Sequence, residues 1–274
     1  MSYIRVLFIG DVIGVTGRTM FQKHIGRLKR ELSIDAIIVN GENSAAGKGI
    51  TSKIVRFFKH CGVNVITSGN HIWRQREIYS YLSEYNDLLR PANYPSSCPG
   101  TGVTTFECKG YVVGVINLQG RIFMRDHMEC PFRTAETMVS YLKSKTNIIF
   151  VDFHAEATSE KLGLAYFLDG KISGLVGTHT HVQTADERVL PGGEAYIGDL
   201  GMVGSLNSMI GMTKEPIISH LMTQMPVKFV VDKDPPYTMT GVYIDVDPVT
   251  GKAVDIQRVK VVDYDPLPGI AEGS

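Results

Sequence analysis

The first third of the chain alternates short apolar runs with amphipathic segments, and this alternation limits the fold more than any other feature. We predict strands at 4–9, 34–40 and 63–67, with helices at 17–32, after Thr51 or Ser52, and at 74–84. Neighbouring parallel strands need long crossover connections, which are usually helices. Strands that alternate strictly with helices therefore predict a parallel sheet.

After residue 100 the pattern changes, and strands outnumber helices. We predict a hairpin from 102–107 and 111–117, a loop at 119–131, helices at 134–143 and 159–167, and strands at 147–153 and 175–176. A second hairpin is predicted at 188–190 and 195–197, with further strands near 227–231, 239–245 and 254–262. One open sheet rarely holds so many strands. We expect one α/β domain over residues 1–274, with two mixed β-sheets packed face to face and helices outside, in four layers.

Charge and cysteine content limit the partners and the compartment. The 28 basic and 28 acidic side chains cancel, so we expect no membrane binding and no extended nucleic-acid surface, although a local basic patch at a pocket mouth is compatible. The four cysteines form no Cys-x-x-Cys pair, which indicates reduced thiols. We expect no signal peptide and no membrane-spanning run of about 20 apolar residues. The expected location is the cytoplasm, and homo-oligomerisation is left open.

Polar clusters follow the apolar runs at the predicted strand ends. They are Gly10-Asp11, Gly41-Glu42-Asn43, Gly69-Asn70-His71, His154 and Gly177-Thr178-His179-Thr180-His181. Ligands collect at the carboxyl ends of parallel strands, so these distant clusters can converge. Carboxylates, amides and imidazoles without a thiolate predict a metal site with oxygen and nitrogen ligands.

Each cluster also has a purely structural interpretation. Asp11 could cap a helix, Asn70-His71 could be a loop pair, and a lone His-x-His pair often has only a structural role. In an extended chain, residues two apart point the same way, so we predict that His179 and His181 face one centre. The joint pattern is more specific than its parts.

The order of the clusters resembles the calcineurin-like metallophosphoesterase superfamily, whose motifs run Asp-x-His, Gly-Asp, Gly-Asn-His, a lone His and Gly-His-x-His. The resemblance covers residues 6–181. Two departures are informative: Ile13 replaces the histidine expected after Asp11, and Glu42-Asn43 replaces the bridging aspartate. This combination is similar to the YmdB-type bacterial phosphodiesterase subgroup, in which such an asparagine fills the vacant ligand position.

The resemblance implies a binuclear metal centre. One metal would be held by Asp11, Glu42, Asn43 and His181, and the other by Glu42, Asn70, His154 and His179, so that Glu42 bridges. It further implies two transition-metal ions per chain, most readily iron with manganese as a substitute, and 2′,3′-cyclic nucleotides as substrates.

The resemblance also implies a reaction scheme. A hydroxide shared by the two metals would attack phosphorus in line. His71 directly follows the ligand Asn70 and would protonate the leaving alkoxide as the general acid. Ile72 stands where many superfamily members carry an acidic residue, so the sequence leaves open what orients His71.

Two other functions stay open at this stage. One is a phosphomonoesterase or phosphoprotein phosphatase on the same site, and the other is a non-catalytic regulator that binds a metal and a nucleotide. The loop from Arg121 to Arg125 could cover the site, stack a base and contact phosphate, or it could be an ordinary packed surface loop.

Overall fold

A computed structural model describes residues 3–269 and consists of two mixed β-sheets with six helices in the described part. The first sheet has the strand order β2-β11-β12-β1-β3-β4, and β13 also pairs with β12. Its strands are β1 (Ile4–Ile9), β2 (Asp11–Val12), β3 (Ala36–Asn40), β4 (Val65–Thr67), β11 (Met202–Ser205), β12 (Tyr237–Val246) and β13 (Ala253–Asp263). The strands β1, β3 and β4 are parallel to one another.

The second sheet has the order β5-β6-β7-β8-β10-β9. Its strands are β5 (Val103–Cys108), β6 (Tyr111–Gln119), β7 (Ile148–His154), β8 (Gly174–Thr178), β9 (Arg188–Val189) and β10 (Ala195–Ile197). The central strands are parallel, whereas β5 and β9 form the two predicted antiparallel hairpins with β6 and β10.

Strand alternation builds the layers. In β1, Val6 and Phe8 face the second sheet, whereas Leu7 and Ile9 face the helices of the first layer. The ring of Phe8 meets that of Phe150 edge to face, with the centroids 5.1 Å apart across the two sheets. Strands buried on both faces have continuous apolar sequences, and residues 6–9 of β1 and 36–39 of β3 are of this kind.

Six helices of the described residues 3–269 lie outside the two sheets, and the last of them has no buried residue. They are α1 (Gly14–Glu31), α2 (Ser52–His60), α3 (Ile78–Glu84), α4 (Pro131–Lys143), α5 (Thr158–Leu168) and α6 (Lys214–Thr223). The apolar sides of α1, α2 and α3 pack on the first sheet, and those of α4 and α5 pack on the second. The predicted four-layer α/β arrangement is confirmed. Within residues 3–269, no helix is long and apolar enough to cross a membrane.

Two local predictions were wrong. Residues 227–230 form no strand, and Val231 makes only an isolated bridge with Met212. Phe229 and Val230 are exposed there, so the apolar sequence reflects a surface position rather than a buried strand. The predicted helix at 74–84 is divided into a 3-10 turn at Ile72–Arg74 and the later α3, because Gln75 is extended.

The strand ends of the two sheets are tied together by a buried carboxylate. Asp152 of β7 accepts hydrogen bonds from Thr178 (2.7 Å), from Asn40 (3.2 Å) and from the Thr67 hydroxyl. Its three partners lie at the carboxyl ends of β8, β3 and β4. This link brings the ends of parallel strands from both sheets to one edge.

A second buried carboxylate lies away from that edge and predicts a pH-dependent stability. Glu194 precedes β10, and neither of its carboxylate oxygens has a hydrogen-bond partner within the described chain. Burial, together with the charge of Asp169, raises the pKa of Glu194 from 4.5 to about 10. The unfolded chain therefore loses this proton at a lower pH than the folded chain does.

Glu194→Gln should stabilise the protein at pH 8 by about 1–3 kcal/mol and hardly at all near pH 4. The favourable contribution of the protonated carboxyl is complete below the unfolded pKa and is lost as the pH rises toward the folded pKa. Thermal unfolding at both pH values measures the difference, with the exposed Glu107→Gln as control. A gain in Tm that does not depend on pH would contradict this assignment.

Candidate metal centre

Polar side chains from both sheets meet at the edge where the parallel strands end. The first sheet and the loops after it supply Asp11, Glu42, Asn43, Asn70 and His71, and the second supplies His154, His179 and His181. All eight predicted site residues belong to one contiguous network of contacts, in which the backbone N–H of His71 donates to Glu42 and that of His179 donates to Asp11.

The core of this network is a cluster of one carboxylate and two imidazoles. Glu42, His154 and His179 each present a ligand atom within 4.8 Å of the others. His154 Nε2 lies 3.1 Å from Glu42 Oε1, 3.1 Å from His179 Nδ1 and 3.1 Å from Asn70 Oδ1. Three further donor atoms of types that bind divalent cations therefore lie around His154 Nε2.

Beside this cluster are two buried oxygens that lack hydrogen-bond partners among residues 3–269, Asp11 Oδ1 and Asn43 Oδ1. The amide group of Asn43 donates to the Gly47 carbonyl (3.0 Å) and to His71 Nδ1 (3.2 Å). The amide oxygen of Asn43, Oδ1, accepts no hydrogen bond from residues 3–269. His181 Nε2 lies 3.7 Å from Asp11 Oδ1. An unpaired buried polar atom costs about 1–3 kcal/mol, so a cation is the fitting partner for these oxygens.

Hydrogen bonds fix which nitrogen of two histidines faces the centre. The Thr178 hydroxyl donates its proton to Asp152, so its oxygen must accept from His154 Nδ1, which is 3.0 Å away. His181 Nδ1 donates to the carbonyl of Ile210 at 3.0 Å. In both rings Nε2 therefore faces the centre, the arrangement that metal-binding histidines use.

The backbone at the histidine pair is not the extended chain that we predicted. β8 ends at Thr178, and the backbone is not extended beyond it: φ is +104° at His179 and +65° at His181. Left-handed backbone at non-glycine residues is strained and needs support. The support is the buried pair of Lys161 and Asp199 (2.8 Å), because Asp199 also accepts the Thr180 N–H at 3.0 Å.

Several residues that support the centre were missed by the sequence analysis. Glu156 Oε2 lies 3.1 Å from His179 Nε2 and so turns His179 Nδ1 toward the cluster. Asp152 and the Lys161–Asp199 pair act on the ligand histidines through Thr178 and Thr180. Asp152 and Glu156 flank His154 at spacings of two, and this was the only local signal in the sequence.

The open question of what orients His71 has a structural answer. The backbone N–H of His71 donates to Glu42 Oε2 at 3.0 Å. On the ring, Nδ1 is 3.2 Å from Asn43 Nδ2 and 3.4 Å from Glu42 Oε1. Within residues 3–269, no hydrogen bond involves Nε2, and the side chain is 20% exposed. Glu42 and Asn43 thus orient His71, although Ile72 stands where an acidic residue could have done so.

Burial and neighbouring charge act against each other at Glu42 and His154. Burial favours the neutral form of Glu42, but His154 and His71 outweigh it and hold the pKa of Glu42 well below its usual range. Burial likewise disfavours the charged form of His154, yet Glu42 raises the pKa of His154 to about 9. A metal cation would compete with that proton, so cation binding here releases a proton.

The other two groups respond mainly to burial. Burial raises the pKa of Asp11 to about 6, against the opposing effects of His181 and His154. Burial and the neighbouring His154 lower the pKa of His179 to about 3, so this ring is neutral at physiological pH. A neutral imidazole is the form that binds metals.

A glycine allows the close approach of the two layers. A Cβ on Gly69 would overlap the ring of His154 and the carboxylate of Glu42. Gly69 therefore stands in the Gly-Asn-His motif because the ligands pack directly against its backbone.

The loop after β6 is fixed at both ends beside the centre. The Glu160 carboxylate accepts the N–H groups of Arg121 (3.0 Å) and Ile122 (3.1 Å). Gln119 Nε2 donates to Asp126 Oδ2 at 2.9 Å. The tip of this loop lines a cavity of about 650 Å³ together with Glu42, Asn43, Asn70, His71, His179 and His181.

Comparison with known proteins agrees with this geometry. The chain matches the family described as YmdB-like protein over residues 7–259. The chain belongs to the YmdB-like family. A Bacillus subtilis member of similar sequence, named 2′,3′-cyclic-nucleotide 2′-phosphodiesterase, is 46% identical over 260 residues, covering 95% of this chain and 98% of that protein.

Two crystal structures extend the YmdB-like comparison. One, described as a novel phosphatase from Mycoplasma pneumoniae, has a TM-score of 0.90 and 36% identity, covering 97% of this chain and 96% of that one. The other, described as a hypothetical protein from Thermus thermophilus, has a TM-score of 0.88 and 35% identity, with coverages of 95% and 100%. These matches confirm the prediction that the chain is a metallophosphoesterase of the YmdB-type phosphodiesterase subgroup, and so a hydrolase. That fold implies divalent metal ions, and Glu42, His154 and His179 form a candidate cluster for them.

Proposed function

We propose that this chain is a binuclear metal-dependent phosphodiesterase that hydrolyses 2′,3′-cyclic nucleotides. The observation that carries the proposal is the pair of unpartnered buried oxygens, Asp11 Oδ1 and Asn43 Oδ1, beside the cluster of Glu42, His154 and His179. The substrate class comes from the activity for which the Bacillus subtilis relative is named.

The ligands divide into two sets that share one carboxylate. Asp11, Asn43 and His181 would hold one metal, and Asn70, His154 and His179 would hold the other. Glu42 would contribute to both sets, because its Oε1 lies 3.1 Å from His154 Nε2 and its charge is near enough to Asp11 to act on the pKa of that carboxyl. Iron is the metal we favour, with manganese as a substitute, since the donors are carboxylate, amide and imidazole. When bound, two such metals supply Lewis acidity and lower the pKa of a water nucleophile.

His71 is the residue we assign as general acid. Its inner nitrogen, Nδ1, is engaged by Asn43 and Glu42, so the ring is held with Nε2 free for a ligand in the cavity. From there Nε2 can deliver its proton to the departing ribose oxygen. A positioned general acid contributes about 10²–10⁴-fold to such a step.

The cavity around the centre has features suited to a nucleotide. Phe123 at the tip of the loop is 85% exposed, with φ at +62°. We propose that this ring stacks on the base, since every base offers a π-face to an aromatic side chain. Lys48, Arg74 and Arg125 also line the cavity and would attract the phosphate.

A phosphomonoesterase on the same site is the second candidate, because the Mycoplasma pneumoniae relative of known structure is described as a phosphatase. Rates on 2′,3′-cyclic AMP and on 3′-AMP separate the two functions. Protein stripped of metal and reconstituted anaerobically with Fe²⁺ or Mn²⁺ should hydrolyse the cyclic diester much faster than the monoester. A preference for the monoester would favour the phosphatase, and bound metal without turnover of either compound would indicate a regulator.

A further inference from the structure

A second, smaller cavity adjoins the metal cavity. It has a volume of about 350 Å³ and shares one lining residue, Phe229, with the larger cavity. Its other lining residues combine three cations with apolar side chains: Val15, Arg18, Ala46, Lys228, Val230, Val231 and Lys233. None of these residues has a role in the metal centre.

The second cavity has three cationic side chains in its lining. In the part of the chain that the structure describes, Arg18, Lys228 and Lys233 form no ion pair with a carboxylate. Arg18 donates to the carbonyl of Ser44 instead. Asp232, next to Lys233 in sequence, is buried and accepts an N–H from the following loop.

Cationic side chains therefore line both cavities; in the metal cavity they lie beside the carboxylates of Glu42, Asp126 and Glu156, whereas no carboxylate of residues 3–269 lines the second cavity. Three cations line the metal cavity, Lys48, Arg74 and Arg125, and three line the second one. Lys48 Nζ lies 5.5 Å from the centre of the Phe229 ring, at the boundary between the cavities. A chain of phosphates entering the metal centre would meet this charge on both sides of Phe229.

We propose that the second cavity binds the sugar-phosphate backbone of a single-stranded RNA whose terminal 2′,3′-cyclic phosphate occupies the metal centre. This inference rests on the proposed phosphodiesterase function and extends its substrate class from mononucleotides to oligonucleotide ends. A cyclic mononucleotide has no further phosphate and would fill only the metal cavity.

The composition of the second cavity suits such a strand. Proteins that bind single strands without reading sequence combine a positively charged groove with aromatic side chains on which bases stack. Phe229 is 41% exposed and offers such a ring between the two groups of cations. The small size of the patch agrees with contact to one or two phosphates rather than with an extended nucleic-acid surface.

The test compares two substrates on one double variant. Lys228→Ala/Lys233→Ala should lower kcat/KM for the trinucleotide ApApA with a 2′,3′-cyclic end by about three- to thirtyfold, the loss expected for two exposed charge pairs. For 2′,3′-cyclic AMP the same variant should keep the wild-type kcat/KM. Lys53→Ala/Lys260→Ala removes the same charge from exposed positions outside both cavities and should change neither value.

Salt gives a second readout on the wild-type protein. The slope of log kcat/KM against log salt should be steeper for the trinucleotide than for 2′,3′-cyclic AMP, by about 0.7 for each added phosphate contact. Equal slopes, or an equal loss on both substrates in the cavity variant, would overturn the proposal.

A binding measurement tests the second cavity independently of the proposed activity. If the metal-loaded wild-type protein cleaves neither substrate, the proposed function fails, but fluorescence anisotropy with a labelled 3′-phosphorylated ApApA still tests the cavity. Weaker binding to the double variant than to the control variant would support the cavity, and identical binding would refute it.

Discussion

Glu42→Gln should abolish hydrolysis and weaken both metal positions together. The substitution keeps the shape of the side chain but removes the charge that balances the two cations. Loss of an outer-shell partner alone typically lowers metal affinity 10- to 100-fold, so loss of the bridging charge should exceed about 100-fold. Turnover at saturating metal should fall by more than about 10³-fold, because the metals carry the electrostatic stabilisation of the reaction.

Glu42→Asp is the matched control for this prediction. It keeps the charge but shortens the side chain by one methylene, which weakens the contacts of Glu42 with the His71 N–H (3.0 Å) and with His154 (3.1 Å). We expect a partly active enzyme, since the resemblance places aspartate at this position in most of the superfamily. Both variants should fold, because the apolar layers exclude the site. A Glu42→Gln protein with wild-type metal content and turnover would show that Glu42 is only a strand-end carboxylate.

His71→Ala should keep the metals and lose about 10²–10⁴-fold in turnover on 2′,3′-cyclic AMP, whose leaving alkoxide needs a proton. The loss should be much smaller on bis(p-nitrophenyl) phosphate, because nitrophenolate leaves without protonation. Steady-state rates on both substrates, with metal content measured in parallel, test this difference.

His60→Ala is a suitable control, since His60 lies at the end of α2 and, within residues 3–269, its ring makes a hydrogen bond only with the Arg56 carbonyl. It should change neither rate. An equal loss on both substrates in His71→Ala would refute the assignment of His71 as general acid and would point instead to a role in positioning Glu42 or Asn43.

The sequence predicted the fold best where burial leaves little choice. β1 and β3 are buried on both faces, so their apolar runs have a single interpretation, and α2 begins after Thr51, whose hydroxyl accepts the N–H of Ile54. Segments on the surface were less predictable. α6 has no buried residue, and residues 227–230 have a strand-like sequence without a strand partner.

For the candidate centre, the convergence of the residues could be predicted but their local geometry could not. Strand order brings His154 and Glu42 together, whereas the left-handed backbone at His179 and His181 depends on the distant pair of Lys161 and Asp199. Such support crosses between elements and leaves no periodic signal in the sequence. The same is true of the link from Thr178 to Asp152, which selects the His154 tautomer only in the folded chain.

Elemental analysis of the protein after reconstitution with Fe²⁺ or Mn²⁺ tests the binuclear centre most directly. We predict about two transition-metal ions per chain, as two-metal hydrolases require, and a lower content in His179→Ala, which removes a ligand of the cluster. A reconstituted wild-type chain that holds no transition metal would contradict the proposed centre, and one that holds a single ion would contradict its binuclear form.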